Sequence, residues 1–428
     1  MAHVKIDAGT YTGEIRPLHG TVNGPVANHD GSGGTVADFI EMGIPYVRLH
    51  DSSFFANYGG EHTVDISGIF PNFDRDTDDT DAYDFFYTDS YVKRCLGTGA
   101  KIFYRLGQRI EPHPKKYHVH PPKDFHKWAR ICEHIIRHLN EGWNDGFNYG
   151  IEYWEIWNEP DNVPACWTGT PEQFYDMFEI SAKHLKSCFP HLKIGGPAFA
   201  EWSVDNGEIE RFLNEMKRRE VPIDFLSWHT YSRELDDFKR RSREVRRLLD
   251  TCGYPEAESI VDEWNYLINW KDGLQASRVR IMTMEGAAMV SALLCIAEDL
   301  PIDKMMYYDA RPCGFCGLFK AFTYERYKSF YAFSMFNKVC GEGHRIKAES
   351  DDGDVYVLAA KGKKCNGTVT YYTFDEAAEK KQITLDIGAP AKLYLLDKEH
   401  DAEYLGEYPA SCEITLEPNS VLYFETKE

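Results

Sequence analysis

The chain has 428 residues, of which 43% are hydrophobic and 14% aromatic, and its formal net charge is −20. It is long enough for more than one average domain and apolar enough to bury a large core. The negative charge argues against nucleic acid and anionic membranes as partners, because both attract clustered lysine and arginine. We therefore expect the partner to be a neutral or weakly charged small molecule.

The N-terminus and the cysteines bear on location. Residues 1–7 lack the apolar core of a signal peptide, and no stretch approaches the ~20 apolar residues of a membrane span. Eleven cysteines lie scattered in apolar and helical contexts, which favours reduced thiols over a disulfide framework. These features predict a cytoplasmic protein without a membrane anchor, and they leave both a monomer and a homo-oligomer open.

Eight apolar runs followed by turn residues predict eight strands, and amphipathic helical stretches separate most of them. The predicted strands are 17–22, 46–50, 101–106, 153–158, 193–196, 224–229, 259–263 and 304–308. The predicted helices are 123–141, 208–219, 233–251, 277–298 and 324–339. One more opens at Thr170-Pro171-Glu172-Gln173, where threonine fits an N-cap and glutamine completes a capping box. This alternation predicts an α/β fold, a (β/α)8 TIM barrel.

The sequence changes character near residue 345. Short β-branched and aromatic runs, separated by Gly, Pro, Asp or Asn, predict a small C-terminal antiparallel β-domain, a β-sandwich. Its strands are predicted at 355–359, 368–373, 381–387, 391–396, 411–416 and 421–424. We therefore assign residues 16–340 to the barrel and 341–428 to this domain, with residues 1–15 supplying strands that join it.

Two of the strand-like segments run into polar ends that each carry a glutamate. They are Trp154-Glu155-Ile156-Trp157-Asn158-Glu159-Pro160-Asp161 and Ile260-Val261-Asp262-Glu263-Trp264-Asn265. Parallel-barrel enzymes present carboxylates at this C-terminal rim. Cleaving a glycosidic bond requires one carboxyl that protonates the leaving oxygen and another that stabilises or attacks the anomeric carbon. Glu159 fits the acid and Glu263 the nucleophile.

Asn158 strengthens this interpretation, because an amide beside the acid can hydrogen-bond the sugar 2-hydroxyl in the transition state. Trp157-Asn158-Glu159-Pro160 and Asp262-Glu263-Trp264-Asn265 resemble the acid/base and nucleophile motifs of clan A retaining glycosidases. The tyrosine and tryptophan before the first motif make the chain most similar to glycoside hydrolase family 39, the β-xylosidase and α-L-iduronidase family. Asp-Glu-Trp-Asn also resembles the family 51 arabinofuranosidases, so the substrate stays open.

Other strand ends are expected to converge on the same pocket. Arg48, His50 and Asp51 end the second predicted strand, and family members similarly place an arginine near the nucleophile. An adjacent cation lowers a carboxylate pKa by ~1–3 units, which keeps a nucleophile ionised. His229 and Tyr231 end the sixth strand, where the resemblance implies a side chain that orients the nucleophile or a sugar hydroxyl. The alternative for each is ordinary core packing.

Asp309 follows the eighth strand, where many clan members carry an aromatic platform instead. Trp264, Trp202 or Trp167 could replace that platform by stacking on a sugar face, although each also fits simple packing. The aromatic-rich segment 52–88 is expected to form a wall of the pocket, which would restrict the enzyme to terminal sugars.

Competing motifs are weaker, and no metal or organic cofactor is expected. Cys313 and Cys316 have CxxC spacing but no second pair to complete a zinc site. Asp74, Asp76 and Asp78 open like a calcium loop that lacks its glycine and its final glutamate.

The sequence as a whole predicts a retaining, exo-acting glycoside hydrolase of β-xylosidase type that acts on an oligosaccharide or glycoside. Arabinosidase, glucosidase or transglycosidase activity on the same site is the enzymatic alternative. A catalytically silent carbohydrate-binding barrel is the alternative outside enzymes, but binding alone has no need of both glutamates and the preceding asparagine.

Overall fold

The computed structural model describes residues 2–27, 33–50 and 63–427. Eight parallel strands close into a barrel, and nine strands form a second, mostly antiparallel sheet. The predicted TIM barrel with a C-terminal β-domain is therefore confirmed.

The barrel strands follow one another around the ring in chain order. The first strand of the chain, β1 (Ala2–Glu14), belongs to the β-domain. The barrel consists of β2 (Gly20–Val22), β3 (Tyr46–Leu49), β4 (Lys101–Leu106), β5 (Tyr153–Ile156), β6 (Lys193–Phe199), β7 (Phe225–Tyr231), β8 (Glu258–Asn265) and β9 (Lys304–Tyr307). Pairing of β2 with β9 closes it. The strands are buried on both faces, which is why they read as continuous apolar runs.

Two strand ends differ from the prediction in a way that shapes the site. β5 ends at Ile156, earlier than expected, because Trp157 and Glu159 adopt left-handed φ angles of 75° and 46° that leave the strand conformation. β7 and β8 instead continue to Tyr231 and Asn265. The first glutamate therefore lies on a loop and the second within a strand.

Helices cover the outside of the barrel. In chain order they are α1 (Val36–Met42), α2 (Ile66–Ile69), α3 (Phe86–Leu96), α4 (Phe125–Glu141), α5 (Pro171–Cys188), α6 (Trp202–Asp205), α7 (Glu208–Arg218), α8 (Leu235–Thr251), α9 (Leu274–Ile281), α10 (Met284–Ala297) and α11 (Lys328–Cys340). A short 3-10 helix spans Thr80–Ala82. The single helix predicted at 277–298 is wrong, because Thr283 accepts a hydrogen bond from the Glu285 backbone and starts α10 as a new helix.

The β-domain is one hydrogen-bonded sheet that folds over its own core. Its other strands are β10 (His344–Ser350), β11 (Val355–Lys361), β12 (Cys365–Tyr371), β13 (Lys381–Asp386), β14 (Ala391–Leu396), β15 (Asp401–Tyr408), β16 (Ser411–Leu416) and β17 (Ser420–Thr426). The order is β15-β14-β17-β12-β11-β10-β1-β13-β16. Side chains from near both ends of this order share one apolar cluster, so the sheet must curve around them.

The barrel and the β-domain share an apolar boundary. α10 is buried along almost its whole length, and Ser291 on this helix hydrogen-bonds Thr370 of β12. Leu358, Val421 and Tyr423 of the β-domain belong to the large core cluster of the barrel. Within the described residues, no single helix is long and apolar enough to cross a membrane, and only the bent pair α9 and α10 passes that test together.

Candidate active site

The predicted nucleophile, Glu263, is held from two sides near the end of β8. Arg48 on β3 donates to its Oε1 at 2.9 Å, and the Tyr231 hydroxyl donates to its Oε2 at 2.6 Å. Burial raises the pKa of Glu263 above its usual value, and it raises the pKa of Tyr231 as well, so this phenol stays protonated and able to donate. One oxygen of the carboxylate is thus neutralised by a cation and the other is fixed by a hydroxyl.

The predicted acid/base, Glu159, lies on the loop after β5 with about 14% of its side chain exposed. Its Oε2 accepts a hydrogen bond of 2.8 Å from the Asn162 side chain and lies 3.6 Å from the Cys166 sulfur. Burial raises the pKa of Cys166, which keeps the thiol protonated as a donor. The backbone of Glu159 is left-handed, and its Oε1 lies 2.8 Å from Nδ1 of His229.

His229 on β7 lies between the two glutamates. Its Nδ1 is 2.8 Å from Oε1 of Glu159 and 3.5 Å from Oε2 of Glu263. Burial lowers the pKa of His229 to about 4, so the ring is neutral at ordinary pH. One ligand atom from each of the three residues lies within 4.8 Å of the others. This spacing brings Glu159 and Glu263 close together, as two carboxyls that act on one glycosidic bond require.

Arg48 organises the floor of the site. Besides Glu263, its guanidinium contacts Glu155 of β5 at 2.7 Å, Asp262 of β8 at 2.9 Å and the Asn158 side-chain oxygen at 2.7 Å. Because the Asn158 oxygen accepts from Arg48, its amide nitrogen is the group left to meet a ligand. The arginine therefore fixes the orientation of Asn158 as well as the nucleophile.

Two further predicted residues, His50 and Asp309, have different surroundings. His50 places Nε2 3.7 Å from Oε1 of Glu263, while Arg105 donates to its Nδ1 at 3.3 Å. Asp309 is fully buried and accepts hydrogen bonds from the Asn23 side chain and the Arg311 backbone. Its contacts are those of a residue that braces the strand end. Asp51, also predicted to bind substrate, lies outside the described residues.

The prediction for Trp264 needs correction. This side chain is fully buried and packs against Phe238 of α8 and Tyr307 of β9, in the layer between strands and helices. Successive side chains of a strand point to opposite faces, so an inward Glu263 places Trp264 outward. Trp167 is also buried, against Trp157. Neither can stack on a sugar.

The aromatic surface beside the nucleophile comes from residues that were not predicted. The Tyr231 ring contacts Trp270 at 5.0 Å between centroids and also faces Tyr308 and Phe315. Trp270 is 41% exposed, and its indole nitrogen donates to Glu201, which also accepts from the Tyr231 backbone. Only the placement of Trp270 soon after the Glu263 strand hinted at this role.

The aromatic segment expected to wall the pocket is only partly described. Within residues 63–88, Phe70 and Tyr83 pack together and Phe85 stacks on His138 of α4 at 3.6 Å, so these rings belong to the core. Phe54, Phe55 and Tyr58 lie outside the described residues. The acidic residues Asp74, Asp76 and Asp78 of the same segment are exposed.

Among the residues that the structure describes, two clusters have the spacing of metal ligands. Glu159, His229 and Glu263 form one, but Glu263 is already bound by Arg48 and Tyr231. Glu133, His184 and Cys188 form the other, in which both oxygens of Glu133 accept from arginines. Cationic partners compete with a metal for the same carboxylates. The arrangement of the first cluster suits two carboxyls that act on opposite sides of one bond.

Comparisons with known proteins agree with this chemistry. The profile described as "Glycosyl hydrolases family 39" matches residues 41–243. A beta-xylosidase from Geobacillus stearothermophilus is 25% identical over 362 residues, which cover 74% of this chain and 67% of that protein. A beta-xylosidase from Caldicellulosiruptor saccharolyticus is 30% identical over 210 residues, which cover 46% of this chain and 38% of that protein.

The fold is shared more widely than the sequence. A glucosidase from Croceicoccus marinus matches with a TM-score of 0.83 at 22% identity, covering 100% of this chain and 99% of that one. At this identity the likeness shows the fold alone. The profile match and the two curated relatives support the similarity to glycoside hydrolase family 39 of clan A that the motifs predicted, and they support a glycoside hydrolase as the class of enzyme.

Proposed function

We propose that this glycoside hydrolase is an exo-acting β-xylosidase that retains anomeric configuration, with Glu263 as nucleophile and Glu159 as acid/base. The observation that carries the mechanism is the proximity of the two glutamates, whose nearest oxygens lie within 4.8 Å of one another. Retaining enzymes hold their carboxyl groups about 5–5.5 Å apart, whereas inverting enzymes leave about 6.5–9.5 Å for a water. The names of the two curated relatives support the choice of xylose.

The contacts of each glutamate match its proposed role. Glu263 faces Arg48 and the Tyr231 hydroxyl, which stabilise a carboxylate that attacks the anomeric carbon. Glu159 lies on the more exposed loop, where it can protonate the leaving oxygen and later deprotonate the incoming water. Asn158 donates from its amide to the sugar 2-hydroxyl. Trp270 and Phe315 offer apolar faces to the sugar beside Tyr231.

The test compares two alanine variants on substrates with good and poor leaving groups. Glu263→Ala should lose turnover on both, whereas Glu159→Ala should keep activity on a dinitrophenyl xyloside, whose leaving group needs little protonation. Azide should restore each variant and give glycosyl azides of opposite configuration. Glu258→Ala, which changes the other end of β8, is the matched control and should stay active.

Two results would contradict the mechanism. Proton NMR that shows an inverted sugar as the first product would exclude a glycosyl-enzyme intermediate. Equal losses on both leaving groups in Glu159→Ala would remove this residue from the acid/base role.

Specificity and mode of attack need separate measurements. A panel of nitrophenyl glycosides should give the highest kcat/KM for β-D-xyloside, ahead of β-D-glucoside and α-L-arabinofuranoside. Xylo-oligosaccharides should release xylose one unit at a time. Early release of mid-length fragments would show an open cleft, and turnover of none of these substrates would favour a binding barrel.

A further inference from the structure

Three carboxyl groups surround the single guanidinium of Arg48 beneath the proposed nucleophile. Glu155 lies 2.7 Å from it, Asp262 2.9 Å and Glu263 2.9 Å. The side chains of Arg48, Glu155 and Asp262 have no exposed surface, and that of Glu263 is 7% exposed. Glu155 and Asp262 take no part in the two displacement steps, so their presence needs another explanation.

The charges of this cluster do not balance if every acid is ionised. One arginine would then face three carboxylates, and His229 adds no positive charge because burial lowers its pKa to about 4. Two uncompensated charges in a barrel interior cost far more than the attraction to one cation returns. At least one of the three groups must therefore hold a proton.

The hydrogen bonds indicate which carboxyl oxygens lack a donor and therefore where this proton is held. Arg48 Nε donates to Oε2 of Glu155, although Oδ2 of Asp262 is also near that nitrogen. Among the described residues, Oε1 of Glu155 and both carboxyl oxygens of Asp262 are buried without a hydrogen-bond donor. A proton held between these two carboxyls supplies a donor to oxygens that otherwise make no hydrogen bond of good geometry.

The pKa values of Asp262 and Glu155 are shifted in opposite directions. Burial raises the pKa of Asp262 well above its usual value. Burial acts the same way on Glu155, but the charge of Arg48 and hydrogen bonds with Asp262, Ser227 and Arg48 together outweigh it, so the net pKa of Glu155 is lowered. The asymmetry supports Asp262 as the protonated member and Glu155 as the ionised one.

We propose that Glu155 and Asp262 form a buried acid pair that carries one proton, on Asp262, and that this pair is a positioning element for Arg48 and Glu263. The ionised Glu155 holds one edge of the guanidinium, which turns its Nη1 toward the nucleophile. The proton on Asp262 removes a negative charge directly beside Glu263. This role rests on the proposed function of Glu263.

Other charged or titratable groups face the pair and must be kept constant when pH profiles are compared. They are Arg48 on β3, His229 and Tyr231 on β7, Glu263 on β8 and Glu159 on the loop after β5. Asp65 is not in this group, because it is paired with Arg105, which also donates to His50. None of these is changed in the two variants whose pH profiles are compared below.

The pH dependence of kcat/KM distinguishes an acid pair that holds one proton from a pair in which both acids are ionised. If Asp262 is neutral, Asp262→Asn leaves the charge unchanged, so the acidic limb should stay in place and kcat should change by less than about threefold, as for a near-isosteric exchange. If both acids are ionised, the same substitution removes a negative charge and should move the limb down by about one pH unit or more. That shift would overturn the proposal.

The double variant Glu155→Gln with Asp262→Asn is the matched control for sensitivity. It removes the remaining negative charge of the pair, so its acidic limb should move to lower pH. A double variant whose limb coincides with that of the wild type would also overturn the proposal, because the pair would then have no influence on Glu263.

Infrared spectroscopy tests the proton without relying on activity. The wild-type protein at pH 8.5 should show the C=O stretch of a protonated carboxyl, which shifts in D2O and on ¹³C labelling of aspartate. At that pH Asp161 and Glu298, whose pKa values burial raises to about 7, are mostly ionised. The band should persist in Glu263→Gln and vanish in Asp262→Asn.

If the wild-type protein lacks this band, Glu155 and Asp262 hold no proton and the proposal is refuted, even if no variant folds. The proposed function fails separately, because Glu263→Gln that still hydrolyses glycosides would exclude the nucleophile while leaving the infrared band in place.

Discussion

The environment of Glu263 sets the pH below which the enzyme should lose activity. An ordinary glutamate titrates near pH 4.3, but burial raises the pKa of Glu263 above that value. A nucleophile must be ionised, so protonation on the acid side removes activity. Since its pKa is raised, activity should fall at a higher pH than for an exposed glutamate.

We therefore predict a bell-shaped profile of kcat/KM whose acidic limb lies at higher pH than the titration of an exposed glutamate. Initial rates on a nitrophenyl xyloside across pH 3–9, corrected for stability at each pH, would measure it. A profile that stays flat down to pH 4 would show that Glu263 is not the group whose ionisation controls the reaction.

Tyr231 contributes the neutral hydrogen bond to the same carboxylate. Its hydroxyl lies 2.6 Å from Oε2 of Glu263. A hydrogen bond to a charged group contributes about 1.5–3 kcal/mol, so Tyr231→Phe should lower kcat/KM by about 10- to 100-fold. It should also move the acidic limb to higher pH, because the carboxylate loses a donor. Tyr175→Phe, which removes a hydroxyl near Glu208 on the outer helices, should change neither quantity.

The residues with a motif were predictable, and those defined by tertiary contacts were not. Glu159, Glu263 and Asn158 are adjacent to recognisable strand ends, and Arg48 ends a strand that the barrel brings beside them. Asn162, Cys166 and Trp270 lie on loops whose path the apolar pattern does not fix. Trp264 directly follows Glu263 on β8, and adjacent side chains of a strand point to opposite faces. An inward Glu263 is therefore enough to exclude Trp264 from the pocket.

At the level of elements, the start of α5 shows how local chemistry fixes a boundary. The Thr170 hydroxyl accepts from the Gln173 backbone, and the Gln173 side chain accepts from the Thr170 backbone. Both hydrogen bonds satisfy donors that a helix N-terminus leaves without partners. This capping box was predictable because it needs only four consecutive residues.

We predict that Thr170→Ala destabilises the protein by about 1 kcal/mol, whereas Thr170→Ser, which keeps the hydroxyl, is close to neutral. Urea unfolding followed by circular dichroism would measure the difference. Because α5 lies outside the site, kcat/KM should be unchanged in both variants. Equal losses for alanine and serine would show that the methyl group, and not the cap, is responsible.

Strands were predicted where burial gave a pattern and missed where it did not. β15 has mostly exposed or half-buried residues, and β10 exposes its first residue and buries only Ile346. Such strands carry little apolar alternation, so their pairing defines them: β15 pairs with β14, and β10 pairs with β1 and β11. The barrel strands were found because both of their faces are buried.

At the level of the whole molecule, the first strand of the chain ties the β-domain together. β1 pairs with β10 on one side and with β13 on the other, and it is the connection between those two strands in the sheet. Val4 points into the core of the β-domain, while Lys5 points to solvent. α10 in turn depends on the β-domain to cover its apolar surface.

This arrangement predicts that a destabilising substitution in β1 also lowers the stability of the barrel. Val4→Asn buries an amide in an apolar cluster and should destabilise the protein by about 2 kcal/mol or more, whereas Lys5→Asn on the opposite face should change stability by less than about 0.5 kcal/mol. The measurement is thermal unfolding followed in parallel by circular dichroism and by residual hydrolysis of a nitrophenyl xyloside. If the β-domain covers α10 as the contacts indicate, both signals of Val4→Asn should fall together at a lower temperature. Activity that survives at the wild-type temperature while part of the dichroism signal is lost would mean that the barrel is stable without the β-domain.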